Sequence, residues 1–205
     1  MFKFKYALIL LPLLLTACQV TKHKDTATIE EQWQLHQQDL KQINAFQVNG
    51  SIAHFSENSR SYGRFFIVQK SIDRYEIKLT TPVGTNILTL IAEPDYAEVI
   101  DKNGKHYTDY NVESLMNKIA RIDVPLNSLH NWLKGFSNDS INDKIDNSGR
   151  LASTEFLQQD KKWLLKISNY MTKTFNNKSV DLPAMIELNH DNERVRLKID
   201  NWILR

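Results

Sequence analysis

The sequence predicts a mainly β fold of the α+β kind, in which a curved antiparallel sheet forms an incomplete barrel with helices as a lid over its concave side. Three observations carry this. A succession of short segments alternates apolar and polar residues with period two, as in Tyr75, Ile77 and Leu79 against Arg74, Glu76 and Lys78, or Val195, Leu197 and Ile199 against Arg194, Arg196 and Lys198. Short turns join these segments, so they follow one another as hairpins. Helical stretches before and between them carry apolar stripes that only the sheet can bury.

In chain order, Lys3 and Lys5 precede the apolar run Ala7 to Leu15, a charged n-region and an h-region too short to span a bilayer. Residues 1–17 therefore read as a signal peptide. Leu15-Thr16-Ala17-Cys18 matches the bacterial lipoprotein box and contains the single cysteine of the 205 residues. The Cys18 thiolate can take up a diacylglyceryl group as a thioether, after which cleavage frees its amine for an N-acyl chain. Two or more chains anchor a protein stably where one holds it marginally. These covalent groups on Cys18 are the only non-protein groups expected, with no cofactor, and one cysteine leaves no intramolecular disulfide. Residues 18–29 are polar without an apolar period and form a lipidated flexible tether, and residues 30–205 form a single domain. Removing residues 1–17 leaves 188 residues and takes Lys3 and Lys5 from the 26 basic ones, so 24 basic residues balance 24 acidic. A neutral mature chain has no polybasic patch. That excludes nucleic acid as a partner and leaves membrane contact to acyl chains.

Within the domain, Glu30 to Asn44 brings Trp33, His36 or Gln37, Leu40 and Ile43 or Asn44 to one helical face. The period then becomes two. Phe46 to Ile52 and Tyr62 to Gln69 are strands joined by the polar loop Ser56 to Ser61, and Arg74 to Leu79 is a third strand with one wet face. Ile87 to Ile91 is apolar on both faces, and Ala97 to Ile100 and Lys105 to Thr108 flank the turn Lys102-Asn103-Gly104. Two helices follow, Val112 to Ala120 and Leu126 to Leu133, the second behind Pro125 and ending at Gly135. Strands resume at Leu151 to Gln158, Lys162 to Ser168, Ala184 to Asn189 and Arg194 to Asp200. Such a sheet either packs solid or encloses a cavity, and periodicity does not choose between them.

Residues that carry chemistry are scattered. His23, His36, His54, His106, His130 and His190 show no metal-ligand spacing, no serine sits in Gly-x-Ser-x-Gly, and the six glycines form neither a phosphate loop nor a dinucleotide fingerprint. Glu30-Glu31 and the acids from Asp139 to Asp146 read as solvated charges. The expectation is a protein that is not an enzyme. The turn Thr80 to Thr85 is less bland. Pro82 and Gly84 fix it around Val83, which either folds back on the sheet edge or stands out as a wedge for a bilayer or an acyl chain.

The series Trp33…His36-Gln37-Gln38…Leu40, Gly50, Arg64-Phe65-Phe66, Asp73-Arg74-Tyr75, Pro82-Val83-Gly84, Pro125-Leu126-Asn127-Ser128-Leu129…Trp132-Leu133…Gly135, Leu182-Pro183 and Lys198-Ile199-Asp200-Asn201-Trp202 resembles the outer-membrane lipoprotein receptor family LolB, through nearly all of the mature chain. The resemblance implies an apolar cavity under the lid. It also implies a function: receiving lipoproteins from the periplasmic carrier LolA, sheltering their acyl chains, and placing them in the inner leaflet of the outer membrane. The partners it implies are LolA, lipoprotein cargo and outer-membrane lipid, met by a monomer whose domain faces the periplasm. The family's delivery loop carries a protruding hydrophobic residue, often leucine, and the matching position is Val83, about one methylene shorter. Gln19 after the lipidated cysteine, rather than Asp, agrees with sorting to the outer membrane. Cavity walls are expected from Val48, Phe66, Ile77, Leu79 and Leu90 on the sheet, with Met116, Ile119 and Leu133 on the helices. A rival reading is a structural or assembly lipoprotein with a solid core that docks a protein partner. A lipid-modifying enzyme using a histidine such as His106 is a weaker one.

Overall fold

A computed structural model describes residues 27–119, 128–137, 140–158 and 161–205. The signal segment, Cys18, Gln19 and the tether to residue 26 lie outside the described residues, as do Pro125 and the start of the helix expected from Leu126.

Helix α1 (Ile29–Gln42) begins in a capping box. Thr28 Oγ1 accepts from the Glu31 amide at 3.2 Å and Glu31 Oε2 accepts from the Thr28 amide at 2.8 Å, which satisfies two otherwise orphaned donors. Glu30 and Glu31 in the first turn and Lys41 in the last complement the helix dipole. The helix stops two residues before the expected Asn44. Ile43 leaves helical geometry and is fully buried as the chain turns into the first strand.

Eleven strands follow among the described residues: β1 (Phe46–Phe55), β2 (Arg60–Ser71), β3 (Arg74–Thr80), β4 (Asn86–Glu93), β5 (Tyr96–Asp101), β6 (His106–Asp109), β7 (Lys144–Ile145), β8 (Leu151–Gln158), β9 (Lys161–Phe175), β10 (Lys178–His190) and β11 (Glu193–Leu204). They form one antiparallel sheet in the order β6-β5-β4-β3-β2-β1-β11-β10-β9-β8-β7. It is two meanders joined where the first strand pairs with the last. The outermost strands are the short β6 and β7, and the sheet does not close into a barrel. Short outer strands leave little free edge for unwanted pairing. Helices α2 (Val112–Ile119) and α3 (Leu129–Lys134) lie in the connection between β6 and β7. Trp33, Leu40 and Ile43, Val112 and Leu115, and Trp132, Leu133 and Phe136 join the inward side chains of the strands in one core cluster.

Most strands run longer than the sequence suggests, β9 and β10 by the most. β9 continues through Phe175 and β10 starts at Lys178, joined by Asn176 and Asn177, both with positive φ (48° and 61°). Asparagine tolerates that conformation, and a two-residue loop with both φ positive matches strand twist. Pro183, which reads as a strand breaker, sits where the β9–β10 register shifts, and its carbonyl accepts from Trp202 Nε1 at 3.1 Å.

At the seam between the meanders, the β1–β11 register shifts between Asn49 and Gly50. A Cβ on Gly50 would lie 2.0 Å from the Lys198 carbonyl oxygen and 2.9 Å from the Phe65 ring. Only glycine lets the backbones approach this closely.

Helix α1 docks on the second meander through a polar cluster. Arg150 donates to Asp146 at 2.9 Å and to Asp181 at 3.2 Å and lies over the Tyr170 ring, whose hydroxyl donates to the Leu151 carbonyl at 2.6 Å. His36 faces the edge of that ring, and its Nε2 is buried without a hydrogen-bond partner. Burial, aided by Arg150, lowers the His36 pKa against the opposing carboxylates Asp181, Asp39 and Asp146.

Two tests follow from these features. Gly50→Ala is expected to destabilise the fold by at least about 2 kcal/mol in urea unfolding, as forced overpacking does. His36 resists protonation in the fold more than in the unfolded chain, so its stability contribution is complete above about pH 6.5 and is lost as the pH falls below it. Unfolding free energy should decline from pH 6.5 to 5, and His36→Leu should flatten that decline, leaving the same-sign contribution of His130.

Candidate functional site

An apolar cleft of about 240 Å³ opens between α3 and the β2–β3 hairpin. Alternation along β2 turns Gly63, Phe65, Ile67 and Gln69 inward, and the last two form its floor. Tyr75 and Ile77 on β3 make one wall, with Ile72, 65 % exposed, at the hairpin tip. Leu129, His130 and Leu133 on α3 form the roof.

Three polar groups border this space, and none of them brings charge at neutral pH. The Gln69 side-chain amide is committed to the Asn44 carbonyl at 3.0 Å. Burial raises the pKa of the Tyr75 hydroxyl. Burial, with the nearby Lys134 ammonium, lowers that of His130. An uncharged, mostly aliphatic cleft favours hydrocarbon over ionic ligands.

Next to the roof, Lys134 is buried. Its Nζ donates to the Ile43 carbonyl at 3.0 Å and lies 5.0 Å from the centre of the Phe136 ring, and desolvation lowers its pKa to about 8. Gly135 ends the helix with φ of 90°, as the sequence suggests.

Of the eight residues expected to line a cavity, Ile77 and Leu133 border this cleft. Val48 and Leu90 also face inward, but each is 1 % exposed and sealed in the core. Leu79 on β3 and Met116 and Ile119 on α2 are half-buried and pack against that core, away from the cleft. Phe66 requires correction. It lies on the opposite face of β2, 43 % exposed, while its neighbour Phe65 points inward. A one-residue slip in register exchanges faces, and two adjacent phenylalanines give no pattern by which to choose. Sequence reasoning missed Ile67, Gln69, Ile72, Tyr75, Leu129 and His130. Gln69 carried a usable signal, being a polar residue in phase with the inward row Gly63, Phe65 and Ile67.

The β3–β4 loop stands at the other end of β3, seven residues and thus roughly 20 Å from the hairpin tip. It is closed on itself: the Thr81 amide donates to the Thr85 carbonyl at 2.8 Å, the Gly84 amide to the Thr81 carbonyl at 2.9 Å, and the Thr85 amide to Thr81 Oγ1 at 3.1 Å. Gly84 takes φ of 94°, which the turn needs and a side chain would strain. With Pro82 before it, Val83 does not fold back on the sheet edge but stands 90 % exposed.

Residues 44–202 match the family described as outer membrane lipoprotein LolB. The chain belongs to the LolB family. Among solved structures, a LolA superfamily protein from Nitrosomonas europaea is 14 % identical with a TM-score of 0.52, over 87 % of this chain and 94 % of that one. A putative outer membrane lipoprotein-sorting protein domain from Vibrio parahaemolyticus is 9 % identical with a TM-score of 0.55 over the same shares. At these identities the two structures attest to a shared fold. LolB membership, with this fold, supports a role in outer-membrane lipoprotein localisation.

Because Val83 touches so little of the LolB-type fold, Val83→Glu is expected to change stability by no more than about 0.5 kcal/mol. Thermal unfolding of the variant checks this, and a larger loss would mean that the loop supports the sheet.

Proposed function

We propose that this protein accepts lipoproteins from the periplasmic carrier LolA, shelters their acyl chains beneath α3, and places them in the inner leaflet of the outer membrane, where its own lipid on Cys18 holds it. The uncharged apolar cleft between α3 and the β2–β3 hairpin is the observation that carries the reading.

Three acyl chains contain several dozen methylenes, each stabilised by roughly 0.8 kcal/mol on leaving water, so a protein cavity must replace the bilayer during transfer. At about 240 Å³ the cleft is smaller than the ~300–1,000 Å³ usual for small-ligand sites. Cargo therefore requires α3 to lift away from the β2–β3 hairpin. The hydrocarbon walls offer few directional contacts, so chains can slide in and out. Direction comes from a gradient of affinity: the receptor holds the chains better than the carrier does, and the bilayer holds them better still. No nucleotide is needed.

Delivery is the role we assign to Pro82-Val83-Gly84. A valine standing clear of a rigid, self-bonded turn can enter the headgroup boundary at little ordering cost, since the turn is already fixed.

The test is transfer of a radiolabelled lipoprotein from its LolA complex to the anchor-free domain beginning near Thr28, and from there to liposomes. Both steps should proceed without nucleotide. Val83→Glu should accept cargo normally and lose most of its delivery to liposomes. Normal delivery by that variant would sink the loop assignment. Cargo that stays on LolA in the presence of folded domain would favour the docking-scaffold reading instead.

A further inference from the structure

Lys134 is the buried cation that neither the cleft's lining nor the loop explains. It lies on the lid helix, one residue after Leu133, which roofs the cleft. Among the described residues its one hydrogen bond runs to the Ile43 carbonyl at 3.0 Å, and the Phe136 ring covers it at 5.0 Å. Among the described residues no carboxylate pairs with it. The cleft floor is tied to the next carbonyl along, Asn44, by Gln69 at 3.0 Å. Floor and roof are thus fastened to consecutive carbonyls at the corner where α1 becomes β1.

The two fastenings differ in what they give up to water. A neutral amide that exchanges one water for one carbonyl loses little. An ammonium has three donors and a full charge, and one carbonyl and one ring are poor exchange for its hydration shell. We propose that Lys134 biases the lid towards opening: when α3 lifts from the cleft the ammonium regains water, and its hydration supplies part of the drive that admits an acyl chain. This deepens the receptor reading and rests on α3 being the lid of an acyl cleft.

The bias must vary with pH in a defined sense. In the closed lid the amine titrates near pH 8, and once hydrated it returns towards the usual lysine value. Opening therefore binds a proton between these values. It is favoured below pH 8 and loses that drive as the pH climbs through 8 towards 10.5. The neighbouring groups are present alike with and without the Lys134 charge, so their own titration cancels when the two are compared. His130 on α3 has its pKa lowered, and Tyr75 on β3 and Tyr170 on β9 have theirs raised. On the flanking elements, Asp39 of α1 is engaged by Lys178, and Asp181 of β10 by Arg150 and Thr172.

The experiment reads the lid without cargo. In the anchor-free domain, Ile77→Cys places a lone thiol under α3, and its labelling by a neutral maleimide reports opening. Rates are compared with and without Lys134→Met, which keeps the side-chain length and removes the charge. The ratio of the two cancels the thiol's own pH dependence. Labelling with Lys134 present should be at least about tenfold faster at pH 7, and this advantage should shrink by about tenfold at pH 9.5. Equal rates at pH 7, or an advantage that does not change with pH, would overturn the proposal. A second arm uses a neutral pyrenyl acyl ester. If the lid responds as expected but the ester binds to neither protein, the acyl-receptor reading fails while the role of Lys134 in the lid stands.

Discussion

The pairing of β1 with β11 is the constraint on which the rest of the molecule depends. Each half of the chain is a meander that could lie flat or twist alone, and only the seam between first and last strands makes them one continuous curved surface. Its register runs from Phe46 opposite Leu204 to Phe55 opposite Arg194, with a shift at Gly50 where the backbones come too close for any side chain. Phe46 meets the Trp202 ring edge to face at 5.1 Å, and the Trp202 indole reaches across to the Pro183 carbonyl, so a single residue near the C-terminus fastens β1, β10 and β11. Arg64 on β2 bridges β1 to reach Asp200 on β11 at 3.1 Å. Helix α1 precedes β1 and takes its position from that strand. The corner between them supplies the carbonyls that hold both the floor and the roof of the cleft.

The sheet's concave face is divided between packing and function. Val48, Leu90, Leu165 and Ile186 are buried within it, and such a region can admit nothing without losing the contacts that hold the fold. Beneath α3 the filling stops. The lid helix has only six residues, so little of its hold on the sheet comes from its own hydrogen bonds and most comes from Trp132, Leu133 and Phe136. A short helix held by side chains over an uncharged cleft is an element that can move while the seam and long strands stay fixed. On the proposed function the two parts assigned to holding and delivering cargo are separated, the cleft at one end of β3 and the self-bonded loop at the other.

Much of this was legible in the sequence because period-two alternation and turn chemistry are local. Arg74 to Leu79 and Arg194 to Asp200 announce strands with one wet face, whereas the capping box was missed because Thr28 reads as part of the tether. The protruding loop was legible as a question, since Pro82 and Gly84 mark the turn but nothing local decides which way Val83 points. What escaped was long-range. The adjacent Phe65 and Phe66 give no phase, so only the pairing with β1 and β3 assigns one inward and the other out. Pro183 reads as a break until the shifted register accommodates it. Lys134 looks like an ordinary last-turn cation complementing a helix dipole, and its burial appears only when α3 is laid against the α1–β1 corner.

On the proposed function, cargo acyl chains reside in the space beneath α3. The most direct measurement is photo-crosslinking from the chain itself, using a lipoprotein whose acyl tails carry diazirines, loaded onto the anchor-free domain and mapped by peptide mass spectrometry. Chains held beneath α3 should give adducts on Ile67, Tyr75, Ile77, Leu129 and Leu133, with Phe66 on the opposite face unlabelled. Adducts spread over the outer face, or confined to the β3–β4 loop with the cleft residues clean, would contradict it.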